Sequence, residues 1–411
     1  MRTITKKPEV LAPAGTLEKL KIAIHYGADA VYIGGNAYGL RSRAGNFTYD
    51  EMREGVEFAK KHNAHVYVAA NMVAHEGDVE GAGDFFRTLR DIGIRAVIVS
   101  DPALIEICAM EAPGLPIHLS TQASATNYET LNFWHEEGLE RVVLAREVSM
   151  DEIAEIRQNT DVEIEAFIHG AMCISYSGRC TLSNHMSARD ANRGGCSQSC
   201  RWKYDLFEMD HLGDRQSLLD GGDELEDFSM SAVDMSMIHH IPDFVENGVD
   251  SLKIEGRMKS IHYVSTVSNV YRQVVDAYCA DPDHFEFKQE WEDELWKVAQ
   301  RELATGFYYG TPSENQQLFG KRRKIPKYVF AGQVLDYDEE TQMATIQQRN
   351  NFAVGDEVEF YGPGFTHIKQ IVGQLWDEDD QPIDRARHPM MNVKMKVDTP
   401  VKPFDIMRKR K

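Results

Sequence analysis

The first 260 residues repeat one beat eight times: a short apolar run, a turn, then a helical segment. The apolar runs are Glu9–Gly15, Asp29–Gly35, His65–Met72, Arg95–Asp101, Pro116–Ser124, Arg141–Glu147, Val162–Gly170 and Ser251–Arg257. Between them lie helical patterns such as TLEKLKIAIHYG, where Leu17, Leu20 and Ile24 recur at helical spacing. NYETLNFWHEEG and SMDEIAEIRQNT share this pattern, with Asn127 and Ser149 placed as N-caps. Strands that alternate with helices for about 270 residues predict an α/β chain closed as a (β/α)8 TIM-type barrel. An open doubly wound sheet is the alternative, but no GxGxxG comes after the first strand to favour a dinucleotide fold.

A chain of 411 residues is longer than one barrel needs. The pattern assigns residues 1–285 to the barrel, 286–325 to a helical linker and 326–411 to a small C-terminal β-barrel. Helices are expected around His262–Ala280 and Trp291–Leu303. From Tyr328 onward the runs YVFAGQVLDY, QMATIQQR, DEVEFYG, IKQIVGQLW and MNVKMKV have the texture of short strands. One beat of the barrel is stretched, because residues 171–250 form an insertion after the seventh strand. Loops leaving the C-terminal ends of barrel strands build active sites, so this insertion is expected on the functional face.

The formal charge is −20, which opposes nonspecific binding to nucleic acid. Residues 321–411 are the exception, with 16 Lys and Arg against 14 Asp and Glu, concentrated at Lys321–Lys327 and Arg408–Lys411. The N-terminus has no apolar core of a secretory signal, and no apolar run approaches the ~18 residues of a membrane helix. A cytoplasmic protein without a membrane partner is expected.

Four of the six cysteines, Cys173, Cys180, Cys196 and Cys200, fall inside the insertion, spaced C-x6-C-x15-C-x3-C. The other two, Cys108 and Cys279, sit in apolar helical stretches and read as core thiols. Four thiolates at irregular spacing suit a 4Fe-4S iron–sulfur cluster held by loops. Zinc and free or catalytic thiols remain open on spacing alone, although zinc knuckles are usually tighter.

The strand feeding the insertion alternates Val162, Ile164, Ala166 and Ile168 with Glu163, Glu165, Phe167 and His169. With the apolar set against the helices, the second set enters the lumen. The eighth strand does the same with Lys253, Glu255 and Arg257. Buried charges need partners, so Glu163 and Glu165 are expected to pair with Lys253 and Arg257. Glu165, His169 and Glu255 are the candidate catalytic groups. Other strand ends contribute Arg41, Arg43 and Asn46, Gln122 beside Ser120 and Thr121, and Arg146 beside Glu147. Arg43, Asn46, Gln122, Arg146, Lys253 and Arg257 are the candidate substrate-binding set. Converging arginines imply a small anion, since guanidinium pairs bidentately with carboxylates. No HExxH or GxSxG is present.

The stretch EAFIHGAMCISYSGRCTLS (Glu165–Ser183) resembles the signature of the collagenase-like peptidases of unassigned catalytic type. The resemblance extends in order through LAPAGTLEKLKIAIHYGADAVYIG, SRAGNF, STQASATN, VVLAREVS, GGCSQSCRWKY and SLKIEGRMKS, covering residues 8–310. Before TGFYYG the chain has Ala299-Gln300-Arg301, where many members have Ser-His-Arg. Despite the family's name, its better understood members hydroxylate without molecular oxygen. The resemblance implies a prephenate-dependent enzyme making 5-hydroxyuridine in tRNA, with an iron–sulfur cluster on the four cysteines and prephenate as the dicarboxylate. Relatives acting on ribosomal RNA or a quinone, and a true peptidase, are the alternatives. A noncatalytic scaffold would not need a charged lumen.

Overall fold

The computed structural model describes residues 6–40, 46–204, 207–209, 213, 215–217, 229–313, 316–317 and 328–411. Arg41, Arg43 and the basic stretch Lys321–Lys327 lie outside them.

Eight parallel strands close into a barrel: β1 (Glu9–Pro13), β2 (Ala30–Gly34), β3 (His65–Ala70), β4 (Ala96–Val99), β5 (Ile117–Leu119), β6 (Arg141–Val143), β7 (Glu163–Ala171) and β8 (Ser251–Ile254). Each pairs with the next, and β8 closes the ring by pairing with both β7 and β1. Six short helices come after the first six strands: α1 (Leu17–His25), α2 (Tyr49–Lys61), α3 (Ala82–Ile92), α4 (Pro102–Glu111), α5 (Tyr128–Glu136) and α6 (Met150–Gln158). Their starts are fixed locally. The Asn127 side chain accepts the Thr130 amide, and Ser149 forms a reciprocal capping box with Glu152. Such caps satisfy amides that the first helical turn leaves unpaired. The core lies between the strands and this helical ring, and Cys108 is buried in it.

The insertion leaves β7 and returns to it. Asp234–Ser236 pairs antiparallel with His169–Ala171, so the loop is anchored to the strand it departs from. Its last part, α7 (Ile241–Glu246), is the ordinary helix between the seventh and eighth strands, so the extra structure ends before residue 241. Helix α8 (Ile261–Ala280) is buried along most of its length because the C-terminal domain covers it. Helix α9 covers Gln289–Val298, five residues short of the expected end. There the chain leaves the helix, and Leu303–Ala304 pairs with Asp234–Met235.

The C-terminal domain is an eight-stranded antiparallel sheet around its own apolar cluster. Its main strands are β9 (Tyr328–Asp338), β10 (Met343–Gln348), β11 (Glu357–Gly362), β12 (Thr366–Ile371), β13 (Asn392–Lys396) and β14 (Ile406–Arg410). Arg408, the first residue of the basic C-terminal run, is fully buried in β14, held by Glu294 of α9 and Glu359 of β11. The neighbouring Lys409 pairs with Asp356. No described helix is long and apolar enough to cross a membrane.

Candidate functional site

Inward-facing strand residues stack a charged lattice through the lumen. Glu165, fully buried, accepts from Lys253 Nζ at 2.6 Å and from Arg141 Nη1 at 3.2 Å. Arg141 also holds Glu163 at 2.7 Å and Glu9 at 2.8 Å. Burial alone would raise the Glu165 carboxyl, but Lys253 and Arg141 outweigh it and hold it below its ordinary range. His118 is pushed down to about 3 by burial and by Arg141, so it is neutral.

One expected pair stands and two expectations need correcting. Glu165 is fully buried and pairs with Lys253 as expected. Glu163 pairs instead with Lys6 and Arg141 at the N-terminal mouth. His169 does not enter the lumen. The β7–β8 register shifts so that Lys253 faces Phe167 while Ile254 faces His169, which leaves Ile168 as an extra residue. A one-residue bulge reverses the facing of the residues beyond it. His169 therefore packs outward with Ile254 against α8, its Nδ1 3.2 Å from the Tyr271 hydroxyl. Burial lowers its pKa to about 4.

At the C-terminal ends of the strands a cavity of about 450 Å³ opens between the barrel and the insertion. Gln122, Arg146, Lys253, Glu255 and Arg257 all line it, and so do all four clustered cysteines. Arg146 lies 4.0 Å over the Phe167 ring, with its Nε buried and without a hydrogen-bond partner. The Arg257 guanidinium packs directly over Gly34, so a Cβ there would have to displace it. Asn46 accepts from the Arg257 Nη2 at 3.4 Å. Gln122 is buried, and its Oε1 has no donor.

Sequence reasoning missed Asn71, Lys259 and Arg301 on the same cavity, which Arg201 also lines. Asn71 presents a second buried amide oxygen without a donor. Arg301, from the segment where the chain departs from the family pattern, holds Asp234 at 2.6 Å. Lys259 lies 3.7 Å from that carboxylate. The cavity is thus cationic inside an acidic protein. Only convergence in space identifies these groups, since each arginine alone reads as a surface residue.

Backbone and ion-pair contacts seat the cysteines. Glu147 accepts from the Ser177 amide and hydroxyl, and Asp78 pairs with Arg193, pinning two turns of the insertion to barrel loops. Asn192 brackets Cys180, accepting its amide and donating to its carbonyl at 3.1 Å each. The Cys180 sulfur accepts the Leu182 amide at 3.3 Å. All four thiols are free and partly buried. Burial pushes the Cys200 thiol up, Cys173, Cys196 and Cys180 push it further, and Arg201 pulls it back. The other three sulfurs thus lie within electrostatic reach of Cys200. Among the described residues no three His, Cys, Asp or Glu side chains converge closely enough to share one ion. Four thiols spread over one cavity wall fit a polynuclear cluster as a donor set.

The fold is a (β/α)8 barrel, and its cationic, thiol-lined cavity lies at the C-terminal ends of the strands, where barrel enzymes build their active sites. The model of peptidase family U32 matches residues 15–318, and that of the family's C-terminal domain matches residues 326–408. The chain belongs to peptidase family U32. It is 56% identical over 410 residues to tRNA hydroxylation protein P1 of Bacillus subtilis, covering 100% of this chain and 96% of that one. It is 34% identical to tRNA hydroxylation protein P of Escherichia coli, covering 87% and 86%. It is 38% identical over 277 residues to the 23S rRNA 5-hydroxycytidine C2501 synthase of Escherichia coli, covering 67% and 40%.

Proposed function

We propose that this protein is an RNA-modifying enzyme that hydroxylates C5 of a tRNA uridine, with a four-iron cluster on Cys173, Cys180, Cys196 and Cys200 and prephenate as dicarboxylate cosubstrate. The observation that carries the reading is the shared cavity, where four thiols face a set of cations and unsatisfied amides. The names of the relatives, two tRNA hydroxylation proteins and an rRNA hydroxycytidine synthase, support the chemistry. When bound, the cluster would supply redox or Lewis-acid chemistry at the cavity wall.

The chain's own residues do the rest. Arg146 and Arg257 bind carboxylates through paired N–H donors. Lys253, held by Glu165, presents its ammonium to the cavity floor. The Asn71 and Gln122 amide oxygens accept hydrogen bonds from substrate N–H or O–H groups. Glu255 is the carboxylate that lines the cavity and the candidate for moving a proton. Hydrolytic machinery is not in evidence: among the described residues no histidine is hydrogen-bonded to a serine or cysteine.

The test is anaerobic reconstitution with tRNA from a strain lacking the gene, with and without prephenate, and mass spectrometry of the digested RNA. Formation of 5-hydroxyuridine only with prephenate is expected. Unmodified tRNA, together with cleavage of denatured collagen by metal-free, protease-free protein, would replace this reading with a peptidase.

A further inference from the structure

The segment that carries the cysteines also exposes large apolar side chains. Tyr176, Trp202 and Met258 are 57%, 41% and 57% exposed. One of them lines the cavity and the other two adjoin lining residues in the chain. Met258 lines the cavity, Tyr176 precedes the lining residue Ser177, and Trp202 comes directly after the lining residue Arg201. Trp202 leans on Tyr204, with ring centroids 6.5 Å apart and planes 31° from parallel. A concentration of large apolar groups at one surface place marks a binding surface.

The charge of this place differs from that of the chain. Residues 171–204 contain Arg179, Arg189, Arg193, Arg201 and Lys203 against Asp190 alone, in a protein of net charge −20. Arg193 is committed to Asp78, and Arg189 has a buried Nε without a hydrogen-bond partner. Arg179 and Lys203 are exposed. Within the insertion the positive charge is confined to this stretch, since residues 205–228 carry nine carboxylates against one arginine.

Exposed aromatic faces interleaved with cations are the recognition chemistry of unpaired nucleic acid: rings stack on bases while the cations hold phosphates. A duplex cannot use such faces, because its bases already stack on each other. We infer that the rim of Tyr176, Trp202 and Met258, with Arg179, Arg201 and Lys203, is the landing surface for a single-stranded RNA loop. The bases flanking the target stack on Trp202 and Tyr176, and the target nucleotide drops into the cavity below. This rests on the RNA reading above and adds to it the residues that capture the substrate. It also answers how so acidic a protein holds RNA.

The experiment uses the full chain and a fluorescein-labelled anticodon stem–loop RNA with uridine at the wobble position, beside a blunt duplex of equal length. Anisotropy should show the loop bound more tightly than the duplex. Trp202→Ala and Tyr176→Ala should each weaken loop binding by roughly 5- to 100-fold. Trp202→Phe should retain binding, and melting curves should be unchanged because these side chains are exposed. Lys203→Ala should reduce the slope of log K against log salt by about 0.7. Equal binding of loop and duplex, or wild-type affinity in Trp202→Ala, overturns the inference. Hydroxylation by wild type with no effect of Trp202→Ala would remove this inference alone. Loop binding through these residues without 5-hydroxyuridine would leave it standing and remove the hydroxylase reading.

Discussion

Replacing Lys253 with methionine isolates the charge beneath the cavity. Its Nζ lies 2.6 Å from Glu165, a contact worth about 6 kcal/mol before desolvation at an effective dielectric of about 20. Removing the lysine also removes its own desolvation cost, and Arg141 still reaches Glu165 at 3.2 Å. The net loss should be about 3 kcal/mol, the low end for breaking a buried pair. Urea unfolding of Lys253→Met, Glu165→Gln and the double variant, monitored by far-UV circular dichroism, measures the coupling. The double variant should recover part of the loss. The pH dependence has a definite sign. Glu165 is depressed in the folded chain, so its contribution is present above the unfolded carboxyl pKa and disappears as pH falls through the lower folded value. Without Lys253 the carboxyl rises and protonates earlier, so the deficit should be largest at neutral pH and shrink in acid. Additive effects across the cycle would refute the lumen pairing.

Protein prepared without air should be brown, with absorption near about 400 nm. Alanine at any of Cys173, Cys180, Cys196 or Cys200 should abolish the colour, while Cys108→Ala and Cys279→Ala should keep it; colourless protein with stoichiometric zinc would replace the cluster. Arg146→Ala or Arg257→Ala should lower kcat/KM for tRNA hydroxylation by roughly 10- to 100-fold, the worth of a charged hydrogen bond, without changing the absorption spectrum. Burial raises the Asp405 carboxyl to about 6, against the Lys402 amide and charge. A raised carboxyl favours the folded state when protonated and costs stability as pH rises through that value. Asp405→Asn should therefore stabilise the chain by about 2–3 kcal/mol at pH 8 and by little at pH 4, checked by denaturation at both.

The barrel was legible because most of its strands are buried on both faces and so appear as short apolar runs between turns. The caps at Asn127 and Ser149 were legible because capping is a local property of three or four residues. Facing was legible only as far as the alternation held. A bulge at Ile168 turned His169 outward, and the sole trace of it in the sequence is Gly170, which takes a φ of 115° beside the Glu255 carbonyl. Arg141 gave no sign of being a lattice partner because it opens its strand, where a charged residue looks like the end of a turn. The cysteines declared themselves by spacing, but Asn71 and Arg301 join them only through chain closure.

Arg408 has a practical consequence for anyone cutting this molecule in two. Its guanidinium is shared between a helix of the first unit and a strand of the second, and beside it the Tyr26 hydroxyl donates to the Tyr361 carbonyl. A truncation before Tyr328 would leave buried Glu294 with Lys297 as its remaining cation and uncover Ile22, Tyr26 and Ile261. The shortened protein would then fail in solubility and folding before its RNA affinity could be measured. The contribution of the C-terminal sheet to substrate capture is better sought by exchanging residues on its outer surface than by removing it.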